Sequence, residues 1–239
     1  MSDTLTPEEF LAACTVGPAV LELRPDYRAE LLVVEGLDAH AASSCADELI
    51  ARAEACAREL LAETPVDQLP HIAAWREAYR AFGAKPQRTR NSLEALTRRA
   101  EGGLPRVNAL TDLYNAISVL HQIPLGGEDL DRYDGAAHLV RATGDEAFDT
   151  VSGGEDVVEH PDAGEVVWRD DAGVTCRRWN WRQGRRTALS DGATRALFIM
   201  GALGPVSDDA LEAAGDELAS SLASLGDGIT VTRRTLGAA

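Results

Sequence analysis

The chain has 239 residues, is 45% hydrophobic and carries a formal net charge of −16 at pH 7. This composition supports a substantial core and excludes a largely disordered chain. No apolar run approaches the roughly 20 residues that span a bilayer, and the acidic N-terminal segment is unlike a signal peptide. We therefore expect a cytoplasmic protein without a membrane partner.

The first 121 residues are predicted to be mainly helical. Two strands are predicted on either side of a turn at Arg24–Asp26, and an amphipathic helix follows from about Ala42 to Leu61. Periodicity and stop signals then predict three further helices, near residues 71–83, 90–103 and 107–121.

The rest of the chain is predicted to be mainly strands. Short apolar or alternating segments predict strands near residues 136–143, 146–151, 165–170, 174–183, 186–190 and 195–200. A helix near residues 208–226 and a strand near residues 228–234 follow. Together the two halves predict an α/β fold of the α+β kind.

The segment from Gly173 to Gly184 combines two tryptophans with several arginines, in a chain otherwise poor in aromatics. It is predicted to be one arm of a hairpin, in which successive side chains alternate between two faces. One face then carries Thr175, Arg177, Trp179, Trp181 and Gln183, and the other carries Val174, Cys176, Arg178, Asn180 and Arg182. Either the tryptophans pack in the core and the arginines are solvated, or the second face binds a carboxylate, phosphate or ribose.

A polar helix face is a second candidate for ligand binding. In the helix predicted at 107–121, the apolar stripe consists of Leu110, Leu113, Ile117 and Leu120. The opposite face carries Asn108, Asp112 and Asn115, of which Asn108 is placed to cap the helix. This polar face is either solvated or one wall of a cleft.

Basic residues are concentrated in two segments of this acidic chain. Residues 85–106 carry a net charge of +4 and residues 177–195 carry +5, which leaves −25 for the remainder of the −16 total. If the two segments meet, they form one positive patch on an acidic body, which would suit RNA. Otherwise they are two unrelated solvated faces.

No sequence motif of a serine hydrolase, metalloprotease or nucleotide-binding enzyme is present. The five histidines lack metal-ligand spacing and the four cysteines form no C-x-x-C pair, so neither a zinc site nor a disulfide framework is predicted. We expect no metal and no cofactor. Any catalysis would depend on positioning and hydrogen bonding.

The segment "LPRVNALTDLYNAISVLHQIPLGGEDLDRYDG", residues 104–135, resembles a signature of the B-three/B-four domain of the phenylalanyl-tRNA synthetase beta subunit, which is the editing module of that synthetase. Later landmarks follow in the same order: the strand containing Arg141, "GDEAF", "GEVVWRD" and Thr194 in "ATRALFIM". The "CRRWNWRQG" version, with its upstream helical segment, looks like free-standing members of this family.

The resemblance implies a three-layer fold with a mainly antiparallel central sheet flanked by helices. It also implies one domain over residues 1–239, with N-terminal strands and helices in 1–103 and the family motifs in 104–239. Two positions depart from the synthetase pattern, because Gly126 stands at its histidine and Met200 at its glutamate. A tyrosine-specific hydrolysis is therefore not implied.

The leading hypothesis is an editing-like protein that binds the acceptor end of tRNA and hydrolyses a misattached amino acid in trans. The substrate-binding residues would be Asn115, Glu128, Arg178, Asn180, Arg182 and Gln183, and the residues that contact RNA would be Lys85, Arg88 and Arg90. No DNA partner is expected. The alternatives are a non-catalytic binding module for an amino acid or related molecule, and a structural subunit whose tryptophan strand only packs.

Overall fold

The computed structural model describes residues 5–38, 44–190 and 192–238, and these form a mixed α/β fold as predicted. Its helices are α1 (Pro7–Ala13), α2 (Pro18–Leu23), α3 (Ser44–Glu63), α4 (Pro70–Ala81), α5 (Ser92–Ala100), α6 (Ala109–His121) and α7 (Asp208–Ala223). Its strands are β1 (Thr15–Val16), β2 (Arg28–Glu35), β3 (Leu125–Asp129), β4 (His138–Arg141), β5 (Phe148–Ser152), β6 (Glu155–Glu159), β7 (Val166–Arg169), β8 (Val174–Arg177), β9 (Arg182–Gln183), β10 (Arg195–Ala202) and β11 (Thr230–Gly237).

Two sheets organise the fold. The first is fully antiparallel, with the strand order β11-β2-β10-β3. The second has the order β1-β4-β7-β8-β9, and its pairs are antiparallel except for the parallel pair β1–β4. A hairpin of β5 and β6 stands beside them. The predominance of antiparallel pairing agrees with the sequence prediction.

Hydrophobic residues of the first sheet contribute to two different cores, because successive side chains of a strand point to opposite faces. Phe198 of β10 packs in a helix-side core with residues of α3, α6 and α7. Its neighbour Leu197 packs in an inter-sheet core, which includes Trp75 of α4 and Trp168 of β7. The layers are therefore helices, the first sheet, and the second sheet with α4.

The first predicted strand is wrong, since residues 18–23 form helix α2. Pro18 occupies the first helical position, where its missing N–H costs nothing and its fixed φ fits the helix. The turn that follows is as predicted, because the Arg24 guanidinium donates hydrogen bonds of 2.8 and 2.6 Å to Asp26. The second predicted strand is β2.

Two further differences concern strands, and the start of one predicted helix is not described. The first residues of the helix predicted from Ala42 lie outside the described residues, and α3 is described from Ser44. Strands β3 and β6 were not predicted, since glycines occupy two of the five positions in β3 and charged residues three of those in β6. Residues 186–190 form no strand; Ala188 makes only an isolated bridge with Glu128.

A buried histidine joins three segments that are distant in the sequence. His71 of α4 is 4% exposed, its Nδ1 lies 2.6 Å from the Gln122 carbonyl oxygen, and its Nε2 accepts a 3.0 Å bond from the Leu203 amide. These bonds require a neutral ring with the proton on Nδ1. Burial lowers the pKa of His71 to about 4.

Replacing His71 with asparagine is expected to destabilise the protein at pH 7. It is also expected to weaken the dependence of the free energy of unfolding on pH below 6.5. The folded-state pKa of His71 lies below the ordinary value of 6.5. The neutral side chain therefore contributes about 3 kcal/mol to the stability of the wild type above pH 6.5, and this contribution is lost as the pH falls through 4. Urea unfolding between pH 4 and 7.5 measures this. His160→Asn, at an exposed histidine, is the control; equal pH slopes for all three proteins would contradict the expectation.

Candidate functional site

The tryptophan-arginine segment is not a continuous strand. Strand β8 ends at Arg177, and Arg178 and Trp179 take left-handed conformations with φ of 48° and 69° before β9 begins at Arg182. Such conformations are unfavourable for residues other than glycine. Here the Arg178 amide donates to Glu165 Oε1 at 3.1 Å and the Trp179 amide to the Val166 carbonyl at 2.7 Å. The predicted alternation therefore fails after Arg177.

The turn of residues 178–181 sends its side chains in separate directions. Trp179 is 1% exposed and packs edge-on against Tyr27 and Trp75, with ring centroids 5.0 and 5.3 Å apart. Trp181 is only partly buried, and the Arg178 guanidinium lies 4.5 Å from its ring centroid. The core-packing interpretation thus holds for Trp179, while Trp181 carries a cation on its face.

A cleft of about 260 Å³ opens beside this turn. Its floor consists of Gly126 and Glu128 of β3 and of Ile199 and Gly201 of β10, which are alternate residues on the same face of neighbouring strands. The two glycines give the cleft its depth. A β-carbon at position 126 would come within 3.1 Å of Gln183 Nε2, and one at position 201 within 3.5 Å of the Tyr27 ring, and both of these neighbours line the cleft.

The walls of the cleft come from α5, α6, the second sheet with its turn at residues 178–181, and the chain segments at the start of β2 and of β3. Most of the lining is apolar or aromatic, and polar groups are few, as in small-molecule sites generally. The wall residues are Tyr27, Ser92, Ala95, Leu96, Tyr114, Asn115, Pro124, Leu125, Trp168, Cys176, Trp179, Asn180, Trp181, Arg182 and Gln183.

Glu128 supplies a carboxyl group to the cleft. It is 2% exposed and its Oε2 accepts a hydrogen bond from the Tyr133 hydroxyl. Burial raises the pKa of Glu128 to about 7, although the hydrogen bond from Tyr133 acts in the opposite direction. A carboxyl group with this pKa exchanges its proton near neutral pH, which is the property required of a general acid or base.

Asn180 contributes a buried hydrogen-bond donor. Its backbone carbonyl accepts a 2.9 Å bond from the Ser92 amide and its Oδ1 accepts a 2.7 Å bond from the Tyr79 hydroxyl. Its Nδ2 is buried and finds no acceptor within the described ranges. A buried donor without a partner is unfavourable, so a ligand oxygen at this position would satisfy it.

The remaining predicted substrate residues differ in their surroundings. Asn115 lines the cleft from α6, and its helix is capped by Asn108 as predicted. Gln183 spans the two sheets, since its Nε2 donates to the Gly127 carbonyl at 2.8 Å. Arg182 lines the cleft but is held by the hairpin, because its NH2 donates to the Val151 carbonyl at 2.8 Å.

Arg178 does not line this cleft. It lies in a second depression of about 480 Å³, together with Lys85 and Arg88, and its guanidinium contacts Glu165 at 3.4 Å and Asp162 at 3.7 Å. We call this depression the basic groove. Arg90 is turned towards Glu94 at 3.7 Å and is not part of the groove lining. The two basic segments of the sequence therefore meet at Lys85, Arg88 and Arg178.

Asp112 and Met200 have structural roles. Asp112 was grouped with a solvated or cleft-lining face, but it is 8% exposed and accepts a 2.8 Å bond from the Val107 amide. Met200, at the position of the synthetase glutamate, is fully buried in the helix-side core, whereas its neighbour Ile199 faces the cleft. Gly126, at the position of the synthetase histidine, does line the cleft.

Other kinds of site are not seen in the described part of the chain. Among residues 5–38, 44–190 and 192–238, no three His, Cys, Asp or Glu side chains are grouped so as to hold a metal ion. Within the same ranges, no helix combines the length and apolarity needed to cross a bilayer. His40 lies outside the described residues, and the other four histidines do not line the cleft.

Sequence reasoning missed the tyrosines that support the site. Tyr79 of α4 holds Asn180, and Tyr133 holds Glu128. Tyr79 is 101 positions from Asn180, so no local pattern connects the two residues. Tyr133 does lie at the end of the "GGEDLDRYDG" segment, which is the one local signal for its role.

Comparisons with known proteins identify the family. The model of the B3/4 domain matches residues 74–224, which is more than half of the chain. A crystal structure of an N-terminal fragment of the phenylalanyl-tRNA synthetase beta subunit from Pyrococcus horikoshii is similar over 92% of this chain, with 11% sequence identity and a TM-score of 0.47. The chain spans about half of that fragment, since 50% of it is covered. No curated protein matches in sequence. The chain belongs to the B3/4 domain family.

Proposed function

We propose that this protein binds aminoacyl-tRNA, takes the aminoacyl group into the cleft and hydrolyses its ester bond in trans. The observation that carries the proposal is the convergence of Asn115, Glu128 and Asn180 on one cleft, with the buried Asn180 Nδ2 lacking an acceptor in the described structure. Membership of the B3/4 family and the sequence resemblance to a synthetase editing domain support aminoacyl-tRNA as the substrate class.

The size and lining of the cleft suit an amino-acid side chain. A volume of about 260 Å³ holds one side chain but not a nucleotide as well. Ile199, Leu96 and the aromatic rings around Trp179 offer apolar surface, so a hydrophobic or aromatic side chain would be favoured. The ribose and the phosphates would then remain outside the cleft.

The hydrolytic step requires a base and an oxyanion donor. Glu128 would accept a proton from a water molecule as its oxygen attacks the ester carbonyl carbon. The oxyanion would accept a hydrogen bond from Asn180 Nδ2. When the bond between the carbonyl carbon and the ribose oxygen breaks, the proton returns from Glu128 to the ribose oxygen. The products are the free amino acid and tRNA with its terminal hydroxyl restored.

The direct test uses a panel of correctly and incorrectly charged tRNAs, with release of the amino acid followed over time. We expect accelerated release from at least one mischarged member. Absence of release from every member would contradict the proposal.

A steric variant tests whether the cleft is the site. Gly126→Leu would project a side chain into the cleft, where even a β-carbon meets Gln183 Nε2 at 3.1 Å. We expect it to abolish release while leaving RNA affinity unchanged. Gly102→Leu is the matched control, because Gly102 is exposed and its nearest neighbour to an added β-carbon, the Arg99 carbonyl oxygen, is 3.8 Å away. Equal activity of the two variants would show that the cleft is not used.

A second candidate function is binding of an amino acid without hydrolysis. It is favoured by Gly126 and Met200, which supply no reactive group at the positions of the synthetase histidine and glutamate. Calorimetric titration with free amino acids separates the two functions. The binding module would be favoured if the wild type binds an amino acid tightly but deacylates no tRNA, and if Gly126→Leu abolishes that binding.

A further inference from the structure

We propose that the basic groove binds a phosphodiester of the RNA strand whose aminoacylated end enters the cleft; this inference rests on the proposed function. The groove is lined by the α4–α5 connection, with Lys85 and Arg88, and by Arg178 of the turn. A phosphate group would bridge these cations, since each of them is a donor suited to phosphate oxygens.

The groove is cationic although the chain as a whole is acidic. Lys85 and Arg88 are exposed, and no carboxylate of the described residues pairs with either. The acidic residue Glu165 is 2% exposed and is already occupied, because it accepts bonds of 2.9 and 2.8 Å from Arg177. Asp162 is the remaining acid, and it lies 3.7 Å from the Arg178 guanidinium.

One turn forms a wall of both the groove and the cleft. Arg178 lines the groove, while the next residues, Trp179 and Asn180, line the cleft. The left-handed backbone of Arg178 and Trp179 divides these side chains between the two sites. Consecutive residues of one chain thus face the two sites, which lie within the reach of a short stretch of single-stranded RNA. Strain of this kind persists where the surrounding structure holds it, and it is often associated with function.

The test measures binding of uncharged tRNA and of a 12-nucleotide single-stranded RNA by fluorescence anisotropy, from 50 to 200 mM salt. The double variant Lys85→Ala/Arg88→Ala is expected to lose about 10- to 30-fold in affinity at 0.1 M salt, and its slope of log K against log salt is expected to fall by about 1.4. The control, Arg58→Ala/Arg132→Ala, removes two arginines that line neither depression. Equal losses in both proteins, or no RNA binding by the wild type at low salt, would overturn the proposal.

A second variant is expected to raise RNA affinity, a result that unfolding of the variant could not produce. Asp162→Asn removes the exposed acid of the groove and, with it, the 3.7 Å contact to Arg178, so RNA affinity is expected to rise several-fold. Asp67→Asn, at an exposed acid outside the groove, corrects for the change in net charge. A gain no larger than that of Asp67→Asn would contradict the inference.

RNA binding and deacylation give different results depending on which of the two sites is wrongly assigned. If the groove is not an RNA site, the double variant keeps its RNA affinity and deacylation still depends on Gly126. If the cleft is not a hydrolytic site, no tRNA is deacylated, yet uncharged RNA still binds and still depends on Lys85 and Arg88.

Discussion

Replacing Glu128 with glutamine is expected to lower the rate of aminoacyl-tRNA hydrolysis by about 10²- to 10⁴-fold, the usual contribution of a general base. Glutamine has almost the same shape and still accepts a hydrogen bond from the Tyr133 hydroxyl, but it cannot take the proton of the attacking water. Single-turnover release of the amino acid measures the effect. Glu35→Gln, on the same sheet and paired with Arg195 at 2.8 Å, is expected to keep wild-type activity.

The pH profile gives an independent readout of Glu128. Burial raises the pKa of its carboxyl group to about 7, and the base must be ionised to act. The wild-type rate is therefore expected to rise about tenfold per pH unit below pH 7 and to level above it. A flat profile between pH 5.5 and 8 would exclude Glu128 as the base.

The stability of the Glu128→Gln variant distinguishes lost chemistry from lost folding. The folded-state pKa lies above the ordinary value of 4.5, so the favourable contribution of the protonated carboxyl group is complete below pH 4.5 and is lost as pH rises through 7. Glutamine does not ionise, so the Glu128→Gln variant does not lose stability in this way. It is expected to be more stable than the wild type at pH 8, by as much as about 3 kcal/mol, and the difference should shrink towards pH 5 in urea unfolding.

Glu94→Ala is expected to destabilise the protein by about 3 to 5 kcal/mol, the usual effect of breaking a buried ion pair. Glu94 is fully buried in α5, and its Oε1 accepts a 2.7 Å bond from Arg76, which is 7% exposed. Arg98 donates to the same oxygen at 3.0 and 3.2 Å. Without Glu94 the buried Arg76 guanidinium would have no countercharge in this cluster.

Urea unfolding at pH 7 measures this effect. Glu101→Ala is the control, because Glu101 is exposed at the C-terminal end of the same helix, and it is expected to change stability by less than about 0.5 kcal/mol. A loss below about 1 kcal/mol for Glu94→Ala would mean that Arg76 finds solvent or another partner. The cluster also affects the site, since α5 carries Ser92, which binds the Asn180 carbonyl.

Local patterns were sufficient for most of the helices and for the long strand β10. Periodic apolar residues define α3, α4 and α6, and Asn108 begins α6 as a side-chain cap. Such elements can be predicted because the interactions that form them lie within one or two turns. Strand β3 could not, because its glycines match no strand pattern and its pairing with β10 joins residues about 70 positions apart.

The sequence by itself determined the family and identified the polar residues that are candidates for substrate binding. Five of the six predicted substrate residues line one cleft. Only the tertiary structure decided where Arg178 points. Its left-handed backbone is held by Glu165 and by the Trp179 amide bond to Val166, which no local pattern encodes. The pKa of Glu128 is also a property of the tertiary structure, because burial of the side chain raises it. Both depend on groups brought together from distant parts of the chain, and alternation along one strand carries no information about such contacts.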